Sequence, residues 1–151
     1  MAESDYKTIG NEFFQRKFQW ILEKDYVNAF EKYNKAHTED PNDCRICSNL
    51  SITLLSMMDY EQAEYWADKA IELDPSFTKG FYRRGMARLH LLKFKEAKSD
   101  FTHVLQDSPQ DSSAKKQINI CNQKIKEAAF LEAIRIEEFE LTLENIEKIE
   151  I

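Results

Sequence analysis

The sequence predicts an all-α chain of stacked helix pairs, and three observations lead there. Among 151 residues only 3 are Gly and 3 are Pro, too few for the turns of a β-sandwich but suited to long helices with short, punctuated connections. The prolines, Pro41, Pro75 and Pro109, stand at a regular interval of 34 residues. The same kinds of residue precede each of them at the same offsets, an internal repeat of the length that marks stacked helical hairpins. An ordinary helical bundle has no reason to hold three prolines in phase with matching alanines.

The repeated stretch reads Tyr26, Ala29, Tyr33 and Ala36 before Pro41, then Tyr60, Ala63, Ala67 and Ala70 before Pro75, then Phe94, Ala97, Phe101 and Val104 before Pro109. The small residues at Ala63 and Ala97 let the two helices of a pair pack closely. The aromatic at Tyr33 or Phe101 fills space against the next pair. Each proline stops its helix, because it has no N–H for the ladder and its ring clashes one turn back. Period and residue types together resemble the tetratricopeptide-repeat (TPR) family, which implies a TPR superhelix of three helix-turn-helix repeats. A single pair cannot bury its own apolar face, so stacking supplies the core.

In this register the second repeat spans about 44–77 and the third about 78–111. Asp111-Ser112-Ser113 is then a good N-cap cluster, and a long capping helix is expected over about 113–136. Its apolar stripe is Ile118, Cys121, Ile125, Ala128, Ala129 and Leu131. Such a helix covers the open end of a solenoid. The remainder, 137–151, is acidic, and reads either as more helix or as a tail or linker.

The first repeat fits less simply. Counting one period back from Cys44 starts it at Gly10. Starting it at Glu3 instead puts Gly10 at the eighth position, where the family often has Gly, and makes the repeat about 3–43, seven residues too long. Seven residues are two helical turns and rotate a helix face by only about 20°, so a longer first helix keeps both ends facing correctly. The surplus falls in Gln15–Lys24, with Phe18, Trp20, Ile21 and Leu22.

Charge and cysteine use exclude other classes. The net charge is −6, and a nucleic-acid footprint would need clustered Lys and Arg. Glu132–Ile151 holds seven acids against two bases, which leaves the preceding part near neutral and able to carry a basic groove. Cys44, Cys47 and Cys121 are too few and too irregular for a disulfide framework. No apolar leader follows Met1, and no stretch is long and apolar enough for a membrane span. The expected location is cytoplasmic, with the nucleus also open.

Five polar residues share one face if the first repeat starts at Glu3. Lys7 and Asn11, and Lys79 and Arg83, are pairs four residues apart, a spacing that shares a helix face. Asn49 takes the corresponding place in the second repeat. In a TPR array the first helix of each repeat lines the concave side, so two Lys, one Arg and two Asn converge on one groove. Lys offers a compact charge, Arg a planar fork that matches a carboxylate, and Asn neutral donors that hold orientation. That set suits a peptide C-terminus ending in an acid, which carries two carboxylates. The plain alternative for any one lysine is a solvated basic face. Like charges at i,i+4 weaken a helix, however, and structure alone does not explain Lys79 with Arg83.

The runs Lys7-x-x-Gly10-Asn11-x-x-Phe14, Ser48-Asn49-Leu50-Ser51 and Lys79-Gly80-Phe81-Tyr82-Arg83-Arg84-Gly85 resemble the dicarboxylate-clamp TPR proteins, co-chaperones of heat shock proteins 90 and 70. The resemblance implies that Lys7, Asn11 and Asn49 hold the terminal carboxylate, and that Lys79 and Arg83 take the penultimate backbone and the aspartate side chain. It also implies an apolar peptide pocket walled by Phe14, Ile52 and Met86. Cys121-Asn122, with Ala129-Phe130 and Ala133-Ile134, is similar to the capping helix of the serine/threonine protein phosphatase 5 family. This implies a non-catalytic targeting domain of a larger phosphatase, one that also docks on its own catalytic domain.

Other chemistry finds no support. Cys44-Arg-Ile-Cys47 is a CxxC, but a zinc site wants four ligands, His37, His90 and His103 are scattered, and Cys47 holds a core position of the repeat. No phosphate loop, nucleophile elbow or zinc-protease motif is present. The expectation is no metal, no cofactor, no nucleic acid and no membrane. The leading reading is a receptor for the acidic C-terminal peptide of heat shock protein 90 or 70. The alternative is a TPR scaffold, or an immunophilin-type co-chaperone, that takes an internal segment of another partner.

Overall fold

Each proline does what its chemistry requires. In the computed structural model, which describes residues 25–147, the helices are α1 (25–39), α2 (Cys44–Ser56), α3 (Tyr60–Leu73), α4 (Thr78–His90), α5 (Phe94–Asp107) and α6 (Ser112–Glu147). Pro41, Pro75 and Pro109 each sit in the turn after a helix has ended, and no strand occurs among the described residues. The start of the first repeat, including Gly10 and the Gln15–Lys24 surplus, lies outside the described residues. α6 runs on past residue 136 to Glu147, so the acidic segment continues the helix at least that far.

The starts of α2, α3 and α6 are capped by aspartate. Asp43 accepts from Arg45 N at 2.8 Å, Asp59 from Gln62 N at 3.2 Å, and Asp111 from Ala114 N at 2.8 Å. Of the Asp111-Ser112-Ser113 cluster, Asp111 is therefore the cap. The first helix of repeats two and three ends in the same way. Met58 and Leu92 adopt left-handed backbone at φ 62° and 61°. Asp59 N then reaches back to Leu54 O at 3.0 Å, and Lys93 N to Arg88 O at 2.8 Å. These are Schellman closures made without glycine, each at a cost in backbone strain.

Alanine and glycine set the helix spacing. Ala63, Ala67, Ala70, Ala87 and Ala97 are fully buried. Gly85 lies so close to α5 that a Cβ there would stand 2.9 Å from Phe101 Cε1 and 3.2 Å from Asp100 Cβ. One core cluster joins Phe30 of α1 with Leu54, Ala63 and Ala87. A second joins Phe81, Tyr82 and Met86 of α4 to Phe101 and Val104 of α5, and to Ala114 and Cys121 of α6. The α6 stripe is packed only in part. Cys121 is buried and Ile118 and Ile125 are half-buried, whereas Ala128, Ala129 and Leu131 are exposed among the described residues.

An ion network holds α3, α4 and α5 in register. Asp100, whose side chain is 3 % exposed, accepts from Arg84 Nη2 at 2.7 Å and from Arg88 Nη1 at 2.9 Å. Arg84 also reaches Asp68 at 2.7 Å. Arg88 Nε and Lys93 Nζ bind the two oxygens of Glu64 at 2.8 and 2.6 Å. Burial alone would raise the Glu64 carboxyl, but the bonds from Lys93 and Arg88 outweigh it and hold Glu64 below the ordinary glutamate value. The sequence reading separated none of these arginines from their neighbours, because their partners come from other helices.

Two outcomes follow. Gly85→Ala forces the new methyl onto the Phe101 ring and should lower unfolding stability by about 1–3 kcal/mol in urea titrations. Because the folded pKa of Glu64 is depressed, its contribution is complete above the unfolded value of about 4.3 and is lost as pH falls through the lower folded value. The urea midpoint should therefore be flat near neutrality and fall below about pH 4, and Glu64→Gln should start lower and fall less steeply.

Candidate peptide-binding groove

α2 and α4 lie side by side and carry three of the five polar residues singled out in the sequence, two of which, Asn49 and Arg83, meet. Asn49 and Ser48 lie in the first half of α2, half-buried and buried. Lys79 and Arg83 occupy successive turns of α4, Lys79 exposed and Arg83 half-buried. Arg83 Nη1 donates to Ser48 Oγ and, at 3.5 Å, to Asn49 Oδ1. The structure thus brings Asn49 and Arg83 together across two repeats. Ser48, which the motif Ser48-Asn49-Leu50-Ser51 contains, is a further partner of Arg83. It stands one residue before Asn49 and about one period before Arg83. Lys7, Asn11 and Phe14 lie outside the described residues.

Arg83 stands apart from the basic residues around it. Arg84 and Arg88 are each tied to two carboxylates. Arg83 makes no ion pair among the described residues; its partners there are a hydroxyl and an amide oxygen. Burial pulls its guanidinium below the usual arginine value, with the Tyr33 phenol pushing the other way. Arginine nonetheless keeps its charge at neutral pH. A cation stripped of water and given only neutral partners is costly unless an anion joins it.

Lys79 and Arg83 open onto a pocket of about 550 Å³ between α4, the end of α5 and the start of α6. Thr78, Tyr82, Ser108 and Ser113 bring hydroxyls to it and Val104 an apolar floor. Asp111 also lines it, with a carboxylate oxygen engaged in capping α6. Chemically, the surface offers two cations and several neutral donors to an extended, anionic ligand. Of the expected apolar wall, Ile52 is 42 % exposed, one turn beyond Asn49. Met86 is half-buried and packs against the cluster formed by α5 and α6.

The CxxC lies away from this surface chemistry. Cys47 is fully buried, with its Sγ 3.8 Å from His37 Nδ1, and Cys44 is half-buried. Burial raises the pKa of both thiols, and that of Cys121. A protonated thiol is a poor nucleophile and a poor ligand. No cluster of three or more metal-binding side chains occurs among the described residues, and no described helix is long and apolar enough to cross a membrane.

The contrast between adjacent arginines has a measurable consequence. Arg83→Met removes a desolvated charge that has no anionic partner among the described residues, and should leave the unfolding free energy of the unliganded chain within about 1 kcal/mol of its starting value. Arg84→Met takes from buried Asp100 one of its two arginines, leaving Arg88, and frees Asp68, and should cost about 1–3 kcal/mol. Denaturant melts of the two variants side by side make the comparison.

No family model matches the chain. Over 130 residues it is 35 % identical to human serine/threonine-protein phosphatase 5, an alignment that takes in 86 % of this chain and 25 % of the phosphatase. The chain thus spans about a quarter of the length of the curated relatives it matches. Two solved structures are similar in fold and sequence. The second TPR domain of human RPAP3, in complex with the HSP70 peptide SGPTIEEVD, superposes with a TM-score of 0.63 at 34 % identity, covering 77 % of this chain and 91 % of that one. The first TPR of Spaghetti (RPAP3), bound to the HSP90 peptide SRMEEVD, gives a TM-score of 0.67 at 28 % identity, covering 80 % and 90 %. With its helix pairs, its period and these likenesses together, the chain belongs to the tetratricopeptide-repeat family.

Proposed function

We propose that this chain is a receptor for an acidic C-terminal peptide of the heat shock protein 90 or 70 type, held by a dicarboxylate clamp. The observation that carries the proposal is Arg83: a half-buried cation beside Lys79, hydrogen-bonded to Ser48 and Asn49 and without an anion among the described residues. A peptide aspartate supplies what it lacks. Lys79 and Arg83 take the side-chain carboxylate and the penultimate backbone, and Asn49 takes the terminal carboxylate. By their repeat offsets Lys7 and Asn11 complete the set. Ile52 offers the apolar contact for the preceding valine. The solved relatives with acidic peptides in place support this reading.

The likeness to phosphatase 5 supports a further step: the chain acts as the targeting domain of a serine/threonine phosphatase and brings it to chaperone-bound clients in the cytosol or nucleus. In this role the chain binds and leaves the chemistry to another domain. An internal segment of a partner, by contrast, can bring side-chain acids but no terminal carboxylate to the clamp.

Calorimetry with the SRMEEVD peptide should give a micromolar Kd, about −8 kcal/mol. Amidating the peptide C-terminus, or Lys79→Ala in the chain, should each remove roughly 2–5 kcal/mol. Undiminished binding after either change would sink the clamp.

A further inference from the structure

We propose that Ser108 is a phosphorylation site that closes the groove to acidic peptides, an inference that rests on the peptide reading above. Ser108 follows the last residue of α5, in a non-helical turn. Its backbone is fully engaged: N–H donates to Val104 O at 2.9 Å, and C=O accepts from Asp111 N at 3.0 Å. Its side chain is exposed, and its hydroxyl makes no hydrogen bond among the described residues. Pro109 comes next, and Ser108 is the only Ser or Thr in the chain followed by proline. An exposed hydroxyl in a turn with proline after it is what a proline-directed protein kinase requires.

The repeats themselves show that the turn accepts an anion at this position. The residues equivalent to Ser108 are Asp40 and Asp74, each just before its proline. Their carboxylates accept from the backbone N–H two residues on, from Asn42 at 3.2 Å and from Ser76 at 3.0 Å. A phosphate on Ser108 stands where two sister turns already hold a negative group, so the fold survives it.

Position gives the phosphate its effect. Ser108 lines the same pocket as Lys79 and Arg83. The nearby acids are already occupied, Asp111 in capping α6 and Asp107 in accepting from the Thr78 hydroxyl. Phosphorylation joins the serine oxygen to the γ-phosphoryl group of ATP and releases ADP and a proton. It adds a charge of about −1.5 to −2 at pH 7. That charge competes for Lys79 and Arg83 and repels the acidic residues of an incoming peptide, and both effects weaken binding.

The experiment uses the chain as it stands. A proline-directed kinase with ATP should add one phosphate, mapped to Ser108 by mass spectrometry, and none to Ser108→Ala. The phosphorylated chain should bind the SRMEEVD peptide at least roughly tenfold more weakly than the unmodified chain, since like charges face each other, and treatment with alkaline phosphatase should restore the affinity. A second measurement needs no peptide. By 31P NMR the phosphate should titrate below its ordinary value of about 6, and Lys79→Ala should move it back up. Unchanged affinity after phosphorylation, refusal of the folded chain by the kinase, or a titration indifferent to Lys79→Ala would each overturn the proposal. If the unmodified chain fails to bind the peptide, the clamp reading falls, and the 31P titration still decides whether the phosphate sits against Lys79.

Discussion

The carboxylate of Asp100 decides which way α4 faces. It lies in the core side of α5 and takes both Arg84 and Arg88 of α4. A buried carboxylate tolerates no loss of such partners, so the rotation of α4 about its axis is fixed wherever α5 is fixed. Glu64 and Asp68 hold the same two arginines from the α3 side. Once Arg84 and Arg88 point into this network, Lys79 and Arg83 are turned toward α2 and the open pocket. The geometry of the groove is a consequence of ion pairs that lie outside it.

The close approach of Gly85 to Phe101 sets the distance at which this locking works. A side chain at Gly85 would push α4 from α5 and stretch the contacts with Asp100. Small residues and the ion network therefore do linked tasks: one sets helix separation, the other sets rotation. The left-handed residues Met58 and Leu92 add a third constraint, because they close α2 and α4 tightly enough for α3 and α5 to fold back at once. Neither is glycine, and each is largely exposed. The strain is tolerated because the Schellman bonds satisfy the last carbonyls.

Much of the fold was legible because its rules are local. Proline has no N–H, alanine is small, and the interval of 34 residues repeats both. The pairing of Arg84 and Arg88 was not legible, since their acids come from α3 and α5, and residue spacing within α4 says nothing of them. Lys79 with Arg83, and Arg84 with Arg88, are the same i,i+4 pattern one face apart. Only packing reveals that one pair is neutralised and the other is not. The place of Asn49 in the repeat singles it out, and the structure sets it beside Arg83. Nothing in the sequence marks Ser48, since its link to Arg83 is made by packing between α2 and α4. Met86, half-buried, packs in part on a cluster built by α5 and α6, contacts that spacing within α4 does not reveal. The end of α6 was ambiguous for a related reason: helix propensity carries the backbone to Glu147, although the packed part of its stripe ends near Ile125.

A folded chain gains nothing from a half-buried arginine with neutral partners. Met or Leu at position 83 would fill the same space without the desolvation cost. Such departures from the stable choice gather where a site must hold charge ready for something that arrives later. Arg83 fits that description in three respects. It is held in place by Ser48 and Asn49 before any ligand comes, so little side-chain entropy remains to be lost on binding. It is partly stripped of water, so an arriving carboxylate meets a stronger field than a surface arginine gives. And its neighbours Arg84 and Arg88 take up Glu64, Asp68 and Asp100, leaving none of these to Arg83. Neutralising Arg84 and Arg88 with acids while leaving Arg83 to a hydroxyl and an amide gives one helix a face closed by ion pairs and a face whose cation is still open to an anion.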